Sequence, residues 1–130
     1  MSEENVEIVR RGFEGISDGH PVWELYAEDF QLVNLPDAPW QPTPGLKGLQ
    51  EWVSFSNDVA EEWGAELVEI DALDAERVLM IATWWAKFRA TGIREEIPVA
   101  QVATVAGGKM TRIESYHSRE EALEAAGLAE

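Results

Sequence analysis

The sequence contains no cysteine, which excludes disulfide staples and thiolate chemistry and makes a cytoplasmic location the expectation. Histidine is almost as scarce. His20 and His117 stand far apart with no paired ligand spacing, so no metal site is visible. No glycine-rich phosphate loop follows a strand, and no cofactor is expected. Basic residues are few as well: ten Lys and Arg against 25 Asp and Glu give a formal charge of −15. A surface that acidic repels phosphate backbones and anionic lipid heads, so neither nucleic acid nor a membrane is expected as a partner. The opening "MSEENVEIVRRG" has two glutamates before its first arginine and no apolar run, which predicts neither a signal peptide nor a transmembrane span.

What the chain has in quantity is apolar side chains, 45% of 130 residues, enough for the core of a single domain over 1–130. Val6, Val9, Phe13 and Ile16 recur at helical spacing and predict a first helix that ends at "SDGH". Pro21 suits the start of a short second helix, "PVWELYA". "AEDFQLVNLP" follows as a strand, then "PDAPWQPTPG", whose four prolines forbid regular structure and make a stiff loop around Trp40. Leu49, Trp52, Val53, Ser56, Val59 and Trp63 predict a third helix from Gly48 to about Gly64. After it the period changes to two. "AELVEIDAL", "RVLMIATWWAKFRA", "EEIPVAQVATVA" and "KMTRIESYH" are strand-like runs joined by connections short enough for hairpins. Pro98 suggests an edge position or a bulge in the third of them. Ser118 with Glu121 forms a capping box for a last helix, closed by Gly127.

The predicted order is therefore α-α-β-α-β-β-β-β-α, an α+β domain with a strongly curved, mostly antiparallel sheet wrapped around N-terminal helices. A curved sheet has a concave face where a small-molecule pocket can form, and parity proposes its lining. Val78, Met80, Ala82, Trp84, Ala86 and Phe88 lie on one side of their run, and that side ends without charge. Val99, Gln101, Ala103 and Val105 are in phase, as are Ile113, Ser115 and His117, and as are Phe30, Leu32 and Asn34. Asn34, Gln101, Ser115 and His117 thus become a few polar groups on a largely apolar, aromatic wall. An amide on such a face needs partners, from protein, water or ligand.

"ENVEIVRRGFEGISDGH", "LYAEDFQLVN", "PTPGLKGLQEWV" and "GGKMTRIESYHSREEALEAAGL", in this order, resemble the SnoaL-like group of the nuclear transport factor two-like superfamily. The resemblance implies a cone-shaped α+β roll with a deep pocket, often dimeric through the convex face of the sheet, so a homodimer is expected. It leaves the function open, because that fold hosts cyclases, isomerases, hydrolases, dehydratases and non-catalytic modules. Ketosteroid isomerase, a relative, uses a tyrosine on its first helix, an aspartate base and an aspartic acid. Laid on this chain, those positions fall on Gly12, Asn34 and Gln101, which cannot perform that mechanism. Limonene epoxide hydrolase is similar around "AED" and the asparagine, but Leu32 replaces its tyrosine, and Trp84, Ala86 and Ser115 replace its Asp-Arg-Asp relay. A one-residue slip would put Glu114 in the last of these places.

For an acid or base there remain His117, His20, Glu114 and Asp37, of which His117 is the foremost candidate by its ordinary pKa and its parity. Two readings stand side by side. One is a binding domain for a small hydrophobic molecule, with Asn34, Trp84, Gln101, Ser115, Trp40, Phe13 and Phe88 around the pocket. The other is a cofactor-independent cyclase, isomerase or hydrolase of SnoaL type acting on a hydrophobic carbonyl or polyketide-like compound. An ionisable pair at the floor of the cup separates the second from the first.

Overall fold

Val9 and Ile16 on one face of the first helix, α1 (Ser2–Asp18), are buried, and Phe13 lies between them. That apolar face packs into the curve of a five-stranded sheet. The computed structural model describes residues 2–35, 37 and 41–128. The chain continues from α1 through a single 3-10 turn, Trp23–Leu25, into β1 (Tyr26–Val33). It then runs through α2 (Leu46–Val59), β2 (Ala60–Ala72), β3 (Arg77–Phe88), β4 (Arg94–Ala106), β5 (Lys109–Tyr116) and α3 (Arg119–Ala125). Among the described residues no helix is long and apolar enough to cross a membrane.

The element order is the one predicted, with the second helix reduced to the 3-10 turn. Tyr26, assigned to that helix from its sequence, is instead the first residue of β1. The helix α2 also ends sooner than its apolar stripe suggests. Ala60 is already extended (φ −116°, ψ 138°), and Trp63 pairs with Ala86 in the β2–β3 ladder. Val59 and Trp63 stand four apart, a spacing that suits a helix, but the cross-strand partners decide the local structure. At the start of α2, Gly48 is obligatory on contact grounds, since a Cβ there would run into the carbonyl of Thr43.

The strand order is β1-β5-β4-β3-β2, antiparallel except that β1 runs parallel to β5. Parity holds along the central strands. Val78, Met80, Ala82, Ala103 and Val105 face α1 in the main core, while Leu79, Ala100 and Val102 face the other way, against Ala122 of α3. Pro98 sits opposite Thr83 in the part of β4 that β5 no longer accompanies. It therefore occupies a local edge of a central strand, where a missing N–H is tolerated.

Side-chain ties fix the helices to the sheet. The Ser17 hydroxyl accepts from the Ala65 N–H (3.0 Å) and donates to the Ala65 carbonyl (3.1 Å), occupying open backbone groups on the edge strand β2. The buried Asn5 donates to the carbonyl of Ala75 in the β2–β3 turn at 2.8 Å. Ser118 caps α3 by accepting from the Glu121 N–H at 3.1 Å, and Gly127 beyond the helix has φ +76°.

Candidate ligand cavity

Curvature leaves space between α1, α2 and the inner face of the sheet. It holds an inner cavity of about 180 Å³; an outer cleft of about 1030 Å³ adjoins it, bordered by α2 and the neighbouring parts of β2, β3 and β4, with no α1 residue in its described lining. Asn34, Trp52, Trp84 and Ile97 border both. The inner walls are Val9, Phe13 and Ile16 of α1, Leu49 and Trp52 of α2, and inward side chains of the strands.

The polar part of the wall is one cross-strand row. Register places Met80 opposite Gln101 and Gln101 opposite Ser115. Asn34 follows Val33, the partner of Glu114 on the neighbouring strand, and so extends the row toward β1. Gln101 and Ser115 are buried, and the Gln101 amide donates to the Ser115 hydroxyl at 3.2 Å. The Asn34 Oδ1 accepts from the Leu35 N–H at 2.9 Å, and its own N–H donates to the Gln41 side chain at 3.0 Å.

The boundary between cavity and cleft is aromatic. Trp84 meets Phe13 edge-on at 5.5 Å, meets Trp52 edge-on at 5.5 Å and stacks on Trp63 at 6.3 Å. Such edge-to-face contacts add to what burial alone contributes. The Trp63 indole N–H is occupied by Asn57 at 2.8 Å.

No family sequence model matches this chain, and no curated protein sequence does either. Solved structures are similar in shape. Bal32a, from a soil-derived mobile gene cassette, superposes with a TM-score of 0.80 at 19% identity, over 95% of this chain and 96% of its own. A protein of ketosteroid isomerase-like fold from Catenulispora acidiphila, in complex with trimethylamine, gives 0.74 at 18% identity, over 94% and 93%. A SnoaL-like polyketide cyclase candidate from Jannaschia gives 0.72 at 16% identity, over 98% and 92%. The fold is the nuclear transport factor two-like roll.

In this roll the residues singled out from the sequence separate into three groups. Phe13, Asn34, Trp84, Gln101 and Ser115 line the inner cavity together. Phe88 does not reach it and borders only the outer cleft, because it lies at the far end of β3, paired with Ala60 where α2 gives way to β2. Trp40 lies outside the described residues.

His117 follows the end of β5, so the alternation that points Ile113 and Ser115 inward stops before it. Its ring is about half exposed, and its Nε2 lies 2.7 Å from the carboxylate of the exposed Asp37. That hydrogen bond holds the Asp37 carboxyl below its ordinary value. Glu114 faces away from the cavity, paired with Arg112 at 3.2 Å and accepting from the Tyr116 hydroxyl at 3.1 Å. His20 is an exposed loop residue. The polar row and the acid/base candidates are therefore in different places.

Among the described lining residues the only titratable side chain of the inner cavity is Tyr26, whose phenol burial pushes up far above its ordinary value. Tyr26 and Trp52 are among the wall residues that sequence reasoning did not assign to the pocket, together with Val9, Ile16 and Leu49. For Tyr26 a signal was present: counting β1 from residue 26 puts it in phase with Phe30, Leu32 and Asn34.

Proposed function

We propose that this protein binds a small, neutral, largely apolar molecule in the inner cavity and performs no proton-transfer chemistry on it. The carrying observation is the lining itself. Its described residues comprise apolar and aromatic side chains, two amides and two hydroxyls, with no carboxylate, imidazole, ammonium or guanidinium. A charged ligand would leave its hydration without a countercharge. A general acid or base tuned near neutrality is lacking at the floor, since the one phenol is pushed away from that range. The volume of about 180 Å³ suits a single ring, for comparison with an engineered cavity of about 150 Å³ that takes benzene. Anything longer extends past Trp84 into the cleft.

Acetophenone in deuterated water tests this reading. Indole ring C–H resonances should shift saturably, and exchange of the methyl protons should run no faster than in buffer. Saturable acceleration of that exchange would overturn the non-catalytic reading in favour of a cyclase or isomerase of SnoaL type, a reading that the likeness to a polyketide cyclase candidate favours. The same proposal takes residues 1–130 as one cytoplasmic domain that forms a homodimer. Sedimentation at a mass near 14.5 kDa would count against the dimer.

A further inference from the structure

Buried tyrosines almost always place their hydroxyl on a partner. Tyr26, only 3% exposed, does not: among the described residues nothing hydrogen-bonds to its hydroxyl. Nor is that oxygen sealed in the core, because no side-chain nitrogen or oxygen among the described residues is both cut off from accessible space and without a partner. The hydroxyl therefore opens on the cavity.

Its position is fixed from three sides. The ring is held edge-on by Phe30 at 5.1 Å and tilted against Trp23 at 6.0 Å. The hydroxyl comes within 3.0 Å of the place where a Cβ on Gly12 would stand, and that Cβ would also collide with the Met110 methyl. A glycine inside a helix costs about 1 kcal/mol relative to alanine. At position 12 it leaves the hydroxyl uncovered.

We propose that the Tyr26 hydroxyl is the deep anchor of the binding site, donating a hydrogen bond to a neutral oxygen of the ligand, a carbonyl above all. The inference rests on the binding reading above and narrows the ligand to a ring or short apolar body with an oxygen acceptor at its buried end. An anionic oxygen is disfavoured, since no cationic side chain lines the inner cavity among the described residues. Burial keeps the phenol protonated and so keeps it a donor. At another part of the wall, the Ser115 hydroxyl accepts from Gln101 and can donate its own hydrogen to a second polar group.

The test compares acetophenone with ethylbenzene, which has nearly the same shape and no carbonyl, on the intact protein and on Tyr26→Phe. In the variant the affinity for acetophenone relative to ethylbenzene should fall about five- to tenfold, the worth of one hydrogen bond, with ethylbenzene itself bound as before. An unchanged ratio would overturn the anchor while leaving the cavity a binding site, and would mean that the hydroxyl holds only a water. Failure of the intact protein to bind either compound would overturn the binding reading and the anchor with it. Should Tyr26→Phe fail to fold, the carbonyl stretch of acetophenone bound to the unaltered protein decides. A frequency below that in hexane which Ser115→Ala leaves in place supports the anchor, and equality with hexane, in the unaltered protein or in Ser115→Ala, overturns it.

Discussion

Trp84 and Trp85 are neighbours in sequence and point to opposite faces of β3. Trp84 is enclosed by three other aromatic rings at the cavity boundary. Trp85 lies beneath the guanidinium of Arg94, 4.3 Å from its ring centroid, and that guanidinium also binds Glu96 at 2.8 Å. The inner tryptophan is held by rings, the outer one by charge. The same strand shows why. At its beginning, Val78, Leu79 and Met80 are all buried, because α1 covers one face and α3 the other. Toward its end nothing described covers the outer face, and the surface there is built of ion pairs such as Lys87 with Glu61 at 3.3 Å.

Removing the inner ring should break this contrast most strongly. Trp84→Ala should cost about 3–5 kcal/mol in urea unfolding, from lost contacts and the hole left behind; a loss below about 1 kcal/mol would show that the aromatic cluster is loosely packed. Leu79→Ala should cost about 2–5 kcal/mol, although Leu79 faces outward, because α3 makes that patch a second small core. A value near zero would mean that α3 does not dock there. Arg94→Ala should cost no more than about 1 kcal/mol, since both partners of its ion pair are about half exposed and its ring contact is open to water.

The smallest effect belongs to Asp37→Asn. Binding to His117 lowers the Asp37 pKa in the folded chain, so its stabilising contribution is present above the ordinary value of 3.8 and disappears as pH falls through the lowered one. The melting temperatures of parent and variant should differ slightly at neutral pH and converge in acid. A difference that persists in acid would dismiss the pairing as its cause.

Alternation made both faces legible where β3 and β4 cross between the helices, because the strands are regular there and α1 meets one face and α3 the other. The α3 cap was legible because Ser118 and Glu121 interact locally. Where an element stops was less so. Val59 and Trp63 satisfy helical spacing while their backbone does not, and His117 keeps the inward parity of β5 after β5 has ended. The inward phase of Tyr26 was legible, but the unpartnered state of its hydroxyl was not. An unpartnered hydroxyl is defined by what fails to reach it, and that depends on Gly12, Met110 and the turn before β1 together.

The parallel pairing of β1 with β5 has a consequence for folding. Gln31 and Arg112, joined across that pair, are separated by 81 residues, whereas β2 through β5 pair by consecutive hairpins. Hairpins close short loops early, and a contact of such long range comes at a much larger loss of chain entropy. The seam between β1 and β5 is therefore the slow closure of the sheet. It is also where Val33, the residue before Asn34, pairs with Glu114, the residue before Ser115, and where Tyr26 pairs with Met110. The Gln101–Ser115 pair belongs to the β4–β5 hairpin, so it is the Asn34 amide and the Tyr26 hydroxyl that join the cavity only when this last seam closes.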